Sequence, residues 1–153
     1  MKAYLAWTAH VKEKYGGVMK YLLDQRLLWD PVEDKTGALR FDVRDAIPFA
    51  DAEDFKILRN DWGYAFEPDI RHIVVWLKQR LPVDMDGALS QEGRGIVEDF
   101  VKNEFREKAD EGEEGSKIIW FKNTTNLQSV RSLEHVHILV RDVDERILEK
   151  WLV

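Results

Sequence analysis

The chain predicts an α+β fold, an antiparallel sheet with packed helices, and three observations carry that prediction. Two runs, Ile70-Arg71-His72-Ile73-Val74-Val75-Trp76-Leu77 and Glu134-His135-Val136-His137-Ile138-Leu139-Val140-Arg141, are rich in β-branched residues and read as strands. Ile96, Val97, Phe100, Val101 and Phe105 recur at spacings of three and four, the mark of a helix with one buried face. Consecutive strands are separated by short polar turns, which favours antiparallel pairing with helices laid over one face.

Lys2 to Lys14 places Tyr4, Leu5, Ala9 and Val11 at mixed helical spacing, and Gly16-Gly17 interrupts that helix. Val18, Tyr21, Leu22, Gln25 and Arg26 continue toward Trp29. Asp30-Pro31 is expected to end the segment, because the residue before proline avoids the α region. The stretch from Val32 to Phe49 holds Gly37, Pro48 and scattered charges and reads as a long ordered loop. Asp51 can cap a short turn over Ala52, Glu53 and Asp54, and Phe55 to Arg59 follows as a strand. After the strand Ile70 to Leu77, Ser90 is the candidate N-cap of the helix carrying Ile96 to Phe105. Asp110-Glu111-Gly112-Glu113-Glu114-Gly115 is most simply a solvated connection. Lys117 to Lys122 and Glu134 to Arg141 complete the strands, and Asp144 caps a last helix with Ile147, Leu148 and Trp151.

The 153 residues are expected to form a single domain, 1–153, with a real hydrophobic core. No apolar run approaches the roughly 20 residues that span a bilayer, so no membrane partner is expected. No signal peptide is expected and the sequence has no cysteine, which fits a cytoplasmic protein and removes thiolate chemistry and cysteine zinc sites. Lys and Arg number 23 against 29 Asp and Glu, a net charge of −6 that argues against a broadly basic nucleic-acid surface. It leaves room for a local basic groove. Of the six tryptophans, Trp62, Trp76 and Trp120 lie beside polar motif residues and can line a pocket.

His135 and His137 are two apart on a strand, so both imidazoles project from one face beside Leu133 and Leu139. Such a pair can supply a nucleophile, a general base or metal ligands. The polar run Asn123-Thr124-Thr125-Asn126-Leu127-Gln128-Ser129 precedes it. His72 and Asp61 would complete a His₃-carboxylate set, but a histidine on so apolar a strand reads more simply as a structural one. No metal and no cofactor is expected. Nothing resembles a P-loop, a dinucleotide-binding glycine motif or a serine elbow.

The alternating histidines resemble those of the histidine-triad nucleotide hydrolases and transferases, in which an imidazole attacks an α-phosphorus. On that pattern His135 resembles the nucleophile and His137 the last histidine, while Leu133 stands in the first histidine's place and Val140 in that of the proline before Arg141. Gln128-Ser129-Val130 resembles the phosphate-side segment, with one extra residue before the strand. The resemblance implies a histidine-triad-like fold.

A longer resemblance covers nearly the whole chain. Tyr15-Gly16-Gly17, Arg26-Leu27-Leu28-Trp29, Phe49-Ala50-Asp51, Lys56-Ile57-Leu58-Arg59-Asn60-Asp61-Trp62, His72 to Lys78, Trp120-Phe121-Lys122-Asn123 and Leu127 to Arg141 are similar to the family typified by fungal N-acetylglucosamine-induced protein 1. Gly63 replaces the usual proline of its Asn-Asp-Trp-Pro-Tyr turn, here Asn60-Asp61-Trp62-Gly63-Tyr64. For most of that family the resemblance implies a name and no chemistry, but some relatives are arginine-containing cyclodipeptide synthases. The expectation is therefore an aminoacyl-tRNA-dependent cyclodipeptide synthase that joins arginine to a second amino acid in a diketopiperazine of fungal secondary metabolism. Its partners would be arginyl-tRNA and a second charged tRNA. Under that reading His135 or His137 is the base or acyl acceptor, acting with Asn60 and Asp61. Asn60, Asn123 and Ser129 supply oriented hydrogen bonds. Asp61, beside Trp62 and Tyr64, would pair with a guanidinium, and Lys78, Lys122 and Arg131 would meet tRNA phosphates. Trp120 and Gln128 complete the substrate-binding set. Two other function classes stay open: a histidine-triad-like nucleotide or phosphoester enzyme, and a non-catalytic binding protein for a sugar or nucleotide.

Overall fold

The computed structural model describes residues 2–36, 39–60, 69–106, 118–124 and 133–152. Helix α1 (Lys2–Tyr15) stops at Gly16 and Gly17, both at positive φ, where a side chain would be strained. Helix α2 (Val18–Tyr21) runs directly into a π-helical segment, Leu22–Leu27. That segment ends at Leu28, whose left-handed φ of 57° turns the chain before Asp30-Pro31 is reached. The expected loop from Val32 to Phe49 contains a small ribbon of strands β1 (Val32–Glu33) and β2 (Leu39–Arg40). Asp51 caps the 3₁₀ turn Ala52–Asp54 by accepting from the Glu53 amide at 2.8 Å.

The main sheet comprises β3 (Phe55–Arg59), β4 (Ile70–Leu77), β5 (Ile118–Phe121) and β6 (Glu134–Arg141). Their order is β3-β4-β6-β5, antiparallel throughout. The fold is therefore α+β, as the sequence predicts. β4 and β6, the two β-branched runs, form its centre and pair along their whole length, from Ile70 opposite Arg141 to Leu77 opposite Glu134. Between them the chain passes through helix α3 (Gln91–Val101), a π turn (Lys102–Arg106) and β5. Ser90 caps α3, its Oγ accepting from the Gly93 amide at 3.1 Å, and Asp144 caps helix α4 (Glu145–Trp151).

Because side chains alternate along a strand, the sheet has two different faces. One carries Ile57, Ile73, Val75, Leu77, Ile118, Val136, Ile138 and Val140, packed against Val97, Phe100 and Val101 of α3, Phe105, and Leu148 and Trp151 of α4. Fully burying one such aliphatic side chain contributes about 1.5–3 kcal/mol. The other face carries Leu58, Val74, Trp76 and Leu133 against Leu22, Leu23 and Leu27. Helices thus cover both faces, not one. Val18, Tyr21 and Leu22 of the expected helical set belong to this second layer, while Leu23 and Leu27 lie outside that set. In a π-helix, i→i+5 bonding brings Leu22 and Leu27 to the same side.

Candidate functional site

The histidines lie on the second face. Register places His135 opposite Trp76, His137 opposite Val74 and His72 opposite Leu139 on β4 and β6, with Phe121 of β5 opposite His137. His135 and His137 are buried, at 4% and 7% exposure. Phe121 stacks on the His137 ring, with centroids 4.7 Å apart and planes within 7°. Trp76 lies 4.7 Å from the His135 ring. The two strand imidazoles are 5.2 Å apart and nearly perpendicular.

His72 ties this pair to the Asn60 corner. Its Nε2 lies 2.8 Å from His137 Nδ1, and its Nδ1 accepts from the Asn60 amide Nδ2 at 3.1 Å. Asn60 also donates its backbone N–H to the His72 carbonyl at 3.1 Å, extending the β3–β4 ladder by one residue. His135 Nδ1–H donates to the Leu133 carbonyl at 2.8 Å. Burial pushes the His72 pKa down to about 4. Burial, together with the neighbouring His135, His72 and Lys122, takes His137 to about 3. His135 is also lowered by burial, which the Leu133 carbonyl and Glu134 only partly offset. The three rings are therefore neutral at pH 7, the state in which imidazole can act as nucleophile or base. Sequence alone reads His72 as structural. Its hydrogen bond to a residue 65 positions away appears only once the register of β4 and β6 is known.

Other expected site residues fare differently. Trp120 lies on the opposite face: it packs against the α3 core and its Nε1–H donates to Glu98 at 2.7 Å. The aromatic that β5 presents to the histidines is its neighbour Phe121. Lys122 does not face solvent for a phosphate. Its Nζ forms an ion pair with Glu134 at 2.8 Å, both side chains 5% exposed or less, and Glu134 also accepts from the Leu81 amide at 3.0 Å. Lys78 is held near Asp54 at 4.0 Å and lies 5.5 Å from the Trp29 ring centre, so it too is engaged within the fold. Asn123 is partly buried just past β5. Asp61, Trp62, Tyr64, Gln128, Ser129 and Arg131 lie outside the described residues.

Asp54 is a buried carboxylate that the sequence offered only as part of a turn. It accepts from the amides of Arg44 and Asp45 at 2.9–3.0 Å and from Gln79 Nε2 at 3.1 Å. Burial alone would raise its pKa, but these donors and Lys78 hold it below the usual carboxylate value. Its partners lie on the chain before β3 and just after β4, so it anchors a loop. Among the described residues no three His, Asp or Glu side chains form a group able to hold a metal ion.

A neutral imidazole cluster held in series by an amide can accept a proton, hand one on, or present an N–H to a developing oxyanion. Comparison with known proteins gives this arrangement a family setting. A relative from Candida albicans, N-acetylglucosamine-induced protein 1, is 31% identical over 155 residues, covering 93% of this chain and 59% of that protein. The uncharacterized protein YPL067C of Saccharomyces cerevisiae is 29% identical over 134 residues, covering 86% of this chain and 63% of its own length. The chain thus spans about six-tenths of the length of these curated relatives. A solved structure titled Crystal Structure of HTC1 superposes with a TM-score of 0.64 at 27% identity, over 98% of this chain and 78% of that one. The family described as Protein of unknown function (DUF3605) matches residues 1–141, and the chain belongs to that family.

Proposed function

We propose that the protein transfers aminoacyl groups from charged tRNA and joins arginine to a second amino acid as a cyclic dipeptide. The observation that carries the reading is the neutral set of buried His135 and His137 with half-buried His72, linked through His72 to Asn60 on one sheet face. Two aminoacyl esters react without water, oxidant or cofactor. The α-amine of one attacks the ester carbonyl of the other, a C–N bond forms, and the ribose oxygen leaves with the displaced proton. Repeating the step within the resulting dipeptidyl ester closes the ring and frees the second tRNA. A desolvated neutral imidazole suits the proton transfers, and burial disfavours competing hydrolysis. The aromatic and carboxylate residues of the sequence Asn60-Asp61-Trp62-Gly63-Tyr64 are the proposed arginine subsite. Arginyl-tRNA, a second aminoacyl-tRNA and a cytoplasmic location complete the proposal.

Incubation with arginine, a second amino acid, ATP, tRNA and the cognate synthetases is expected to yield the cyclic dipeptide. RNase should abolish the product, and His135→Ala should lower kcat by about 10²–10⁴-fold with unchanged circular dichroism. Product formation that survives RNase removes tRNA from the reading.

A second reading is favoured by the His135-x-His137 spacing on a central antiparallel strand. It is a histidine-triad-like nucleotidyl or phosphoester enzyme, in which His135 attacks phosphorus. Cleavage of an aminoacyl-adenylate or dinucleotide, lost in His135→Ala, would select it over the first. A non-catalytic sugar or nucleotide binder would instead show a thermal shift with ligand recovered intact.

A further inference from the structure

The two strand histidines carry their protons on different nitrogens, and the hydrogen-bond chain dictates which. A side-chain amide nitrogen only donates, so the Asn60 Nδ2 contact makes His72 Nδ1 an acceptor. A neutral imidazole has one N–H, which in His72 must then be on Nε2. That N–H points at His137 Nδ1, 2.8 Å away, and makes it an acceptor in turn. His137 therefore holds its own proton on Nε2. His135 is the reverse. The Leu133 carbonyl, which only accepts, requires the proton on Nδ1 and leaves a lone pair on Nε2. Burial favours the uncharged form of all three rings, in which one nitrogen carries a proton and the other a lone pair.

We propose that Asn60 and His72 are positioning residues that divide the chemistry between the strand histidines: His135 Nε2 is the base, and His137 Nε2–H is a hydrogen-bond donor to the carbonyl oxygen under attack. This assignment rests on the acyl-transfer reading for its use, though not for its geometry. As the amine attacks, His135 Nε2 takes the amine proton while the C–N bond forms. His137 Nε2–H stabilises the negative charge building on the former carbonyl oxygen. Collapse expels the ribose oxygen, to which His135 returns the proton. The two rings lie side by side on one sheet face, 5.2 Å apart and nearly perpendicular. In this scheme His72 acts only through His137.

Long-range ¹H–¹⁵N correlation spectra of histidine-labelled protein test the assignment without any assay of turnover. The expected pattern is Nε2–H for His72 and His137 and Nδ1–H for His135. Asn60→Asp replaces the amide donor by an acceptor and should move the His72 and His137 protons to Nδ1 together, leaving His135 unchanged. His72→Gln, whose amide N–H can take the place of His72 Nε2–H, should keep His137 in its Nε2–H form. With the cyclic dipeptide as readout, His72→Leu should lower kcat by about 10²-fold, and His72→Gln should recover most of it with KM little altered. A wild-type spectrum with His137 protonated at Nδ1 overturns the proposal. So does an Asn60→Asp protein that folds with both tautomers unmoved. If the spectra are as expected and no cyclic dipeptide forms, the proton assignment stands and the synthase reading falls.

Discussion

The two faces of the central strand pair are built from alternate residues of the same sixteen positions, and they differ in every respect that matters chemically. Ile73, Val75, Val136 and Ile138 point to one side, and α3 and α4 seal them with aliphatic and aromatic contacts. His72, Val74, Trp76, His135 and His137 point to the other, where the π-helical leucines cover part of the sheet and the imidazoles bond to one another and to Asn60. One face uses burial to hold the fold together. The other uses the rigidity so obtained to keep three rings desolvated and aligned, which costs stability whenever a proton is available.

The largest expected effect lies at the rim of the apolar side. Lys122→Met strands the Glu134 carboxylate in a buried site and should lower unfolding free energy by about 3–5 kcal/mol. The pair Lys122→Met with Glu134→Leu should recover much of that loss in denaturant melts. If the double variant is no better than the single, the ion pair is not the cause. Ile138→Ala, wholly inside the apolar face, should cost about 2–5 kcal/mol with an unchanged denaturant slope.

The histidine face should respond to pH rather than to volume. His72 and His137 have folded pKa values of about 4 and about 3, below the ordinary imidazole value of 6.5. As pH falls below 6.5 the unfolded chain binds these protons first, so stability drops from there down through the two folded values. Above 6.5 neither ring contributes a pH slope. The double variant His72→Phe with His137→Leu removes both partners of the bond. It should leave stability at pH 8 within about 1.5 kcal/mol of wild type. It should flatten the acid limb by up to about 1.4 kcal/mol per pH unit for each ring removed. An acid limb identical to that of the wild type would rule out buried neutral imidazoles. The smallest effect is expected for Ser90→Ala, which removes the cap of the helix over the apolar face and should cost about 1 kcal/mol.

Much of the apolar face was legible in the sequence because it rests on local patterns. β4 and β6 are long β-branched runs, α3 and α4 have side-chain caps, and Ile96 to Phe105 keep helical spacing through a π turn. The histidine face was legible only in part. Alternation alone put His135 and His137 side by side. The partnership of His72 with His137, and the choice of Phe121 over Trp120, depend on cross-strand register, where a slip of one residue exchanges the faces. The leucine layer was legible only in part: the expected helical set takes in Leu22 but not Leu23 or Leu27, which stand among Asp24, Gln25 and Arg26. Asp54 escaped because its amide donors lie in a stretch without periodicity, where nothing marks a residue that will be surrounded by N–H groups.

Asn60 holds His72 twice, by backbone and by side chain, at the last rung before the chain leaves the sheet. That double grip works as a splint. A change at this one asparagine would therefore be felt at His137 on β6, a strand that β3 does not itself pair with.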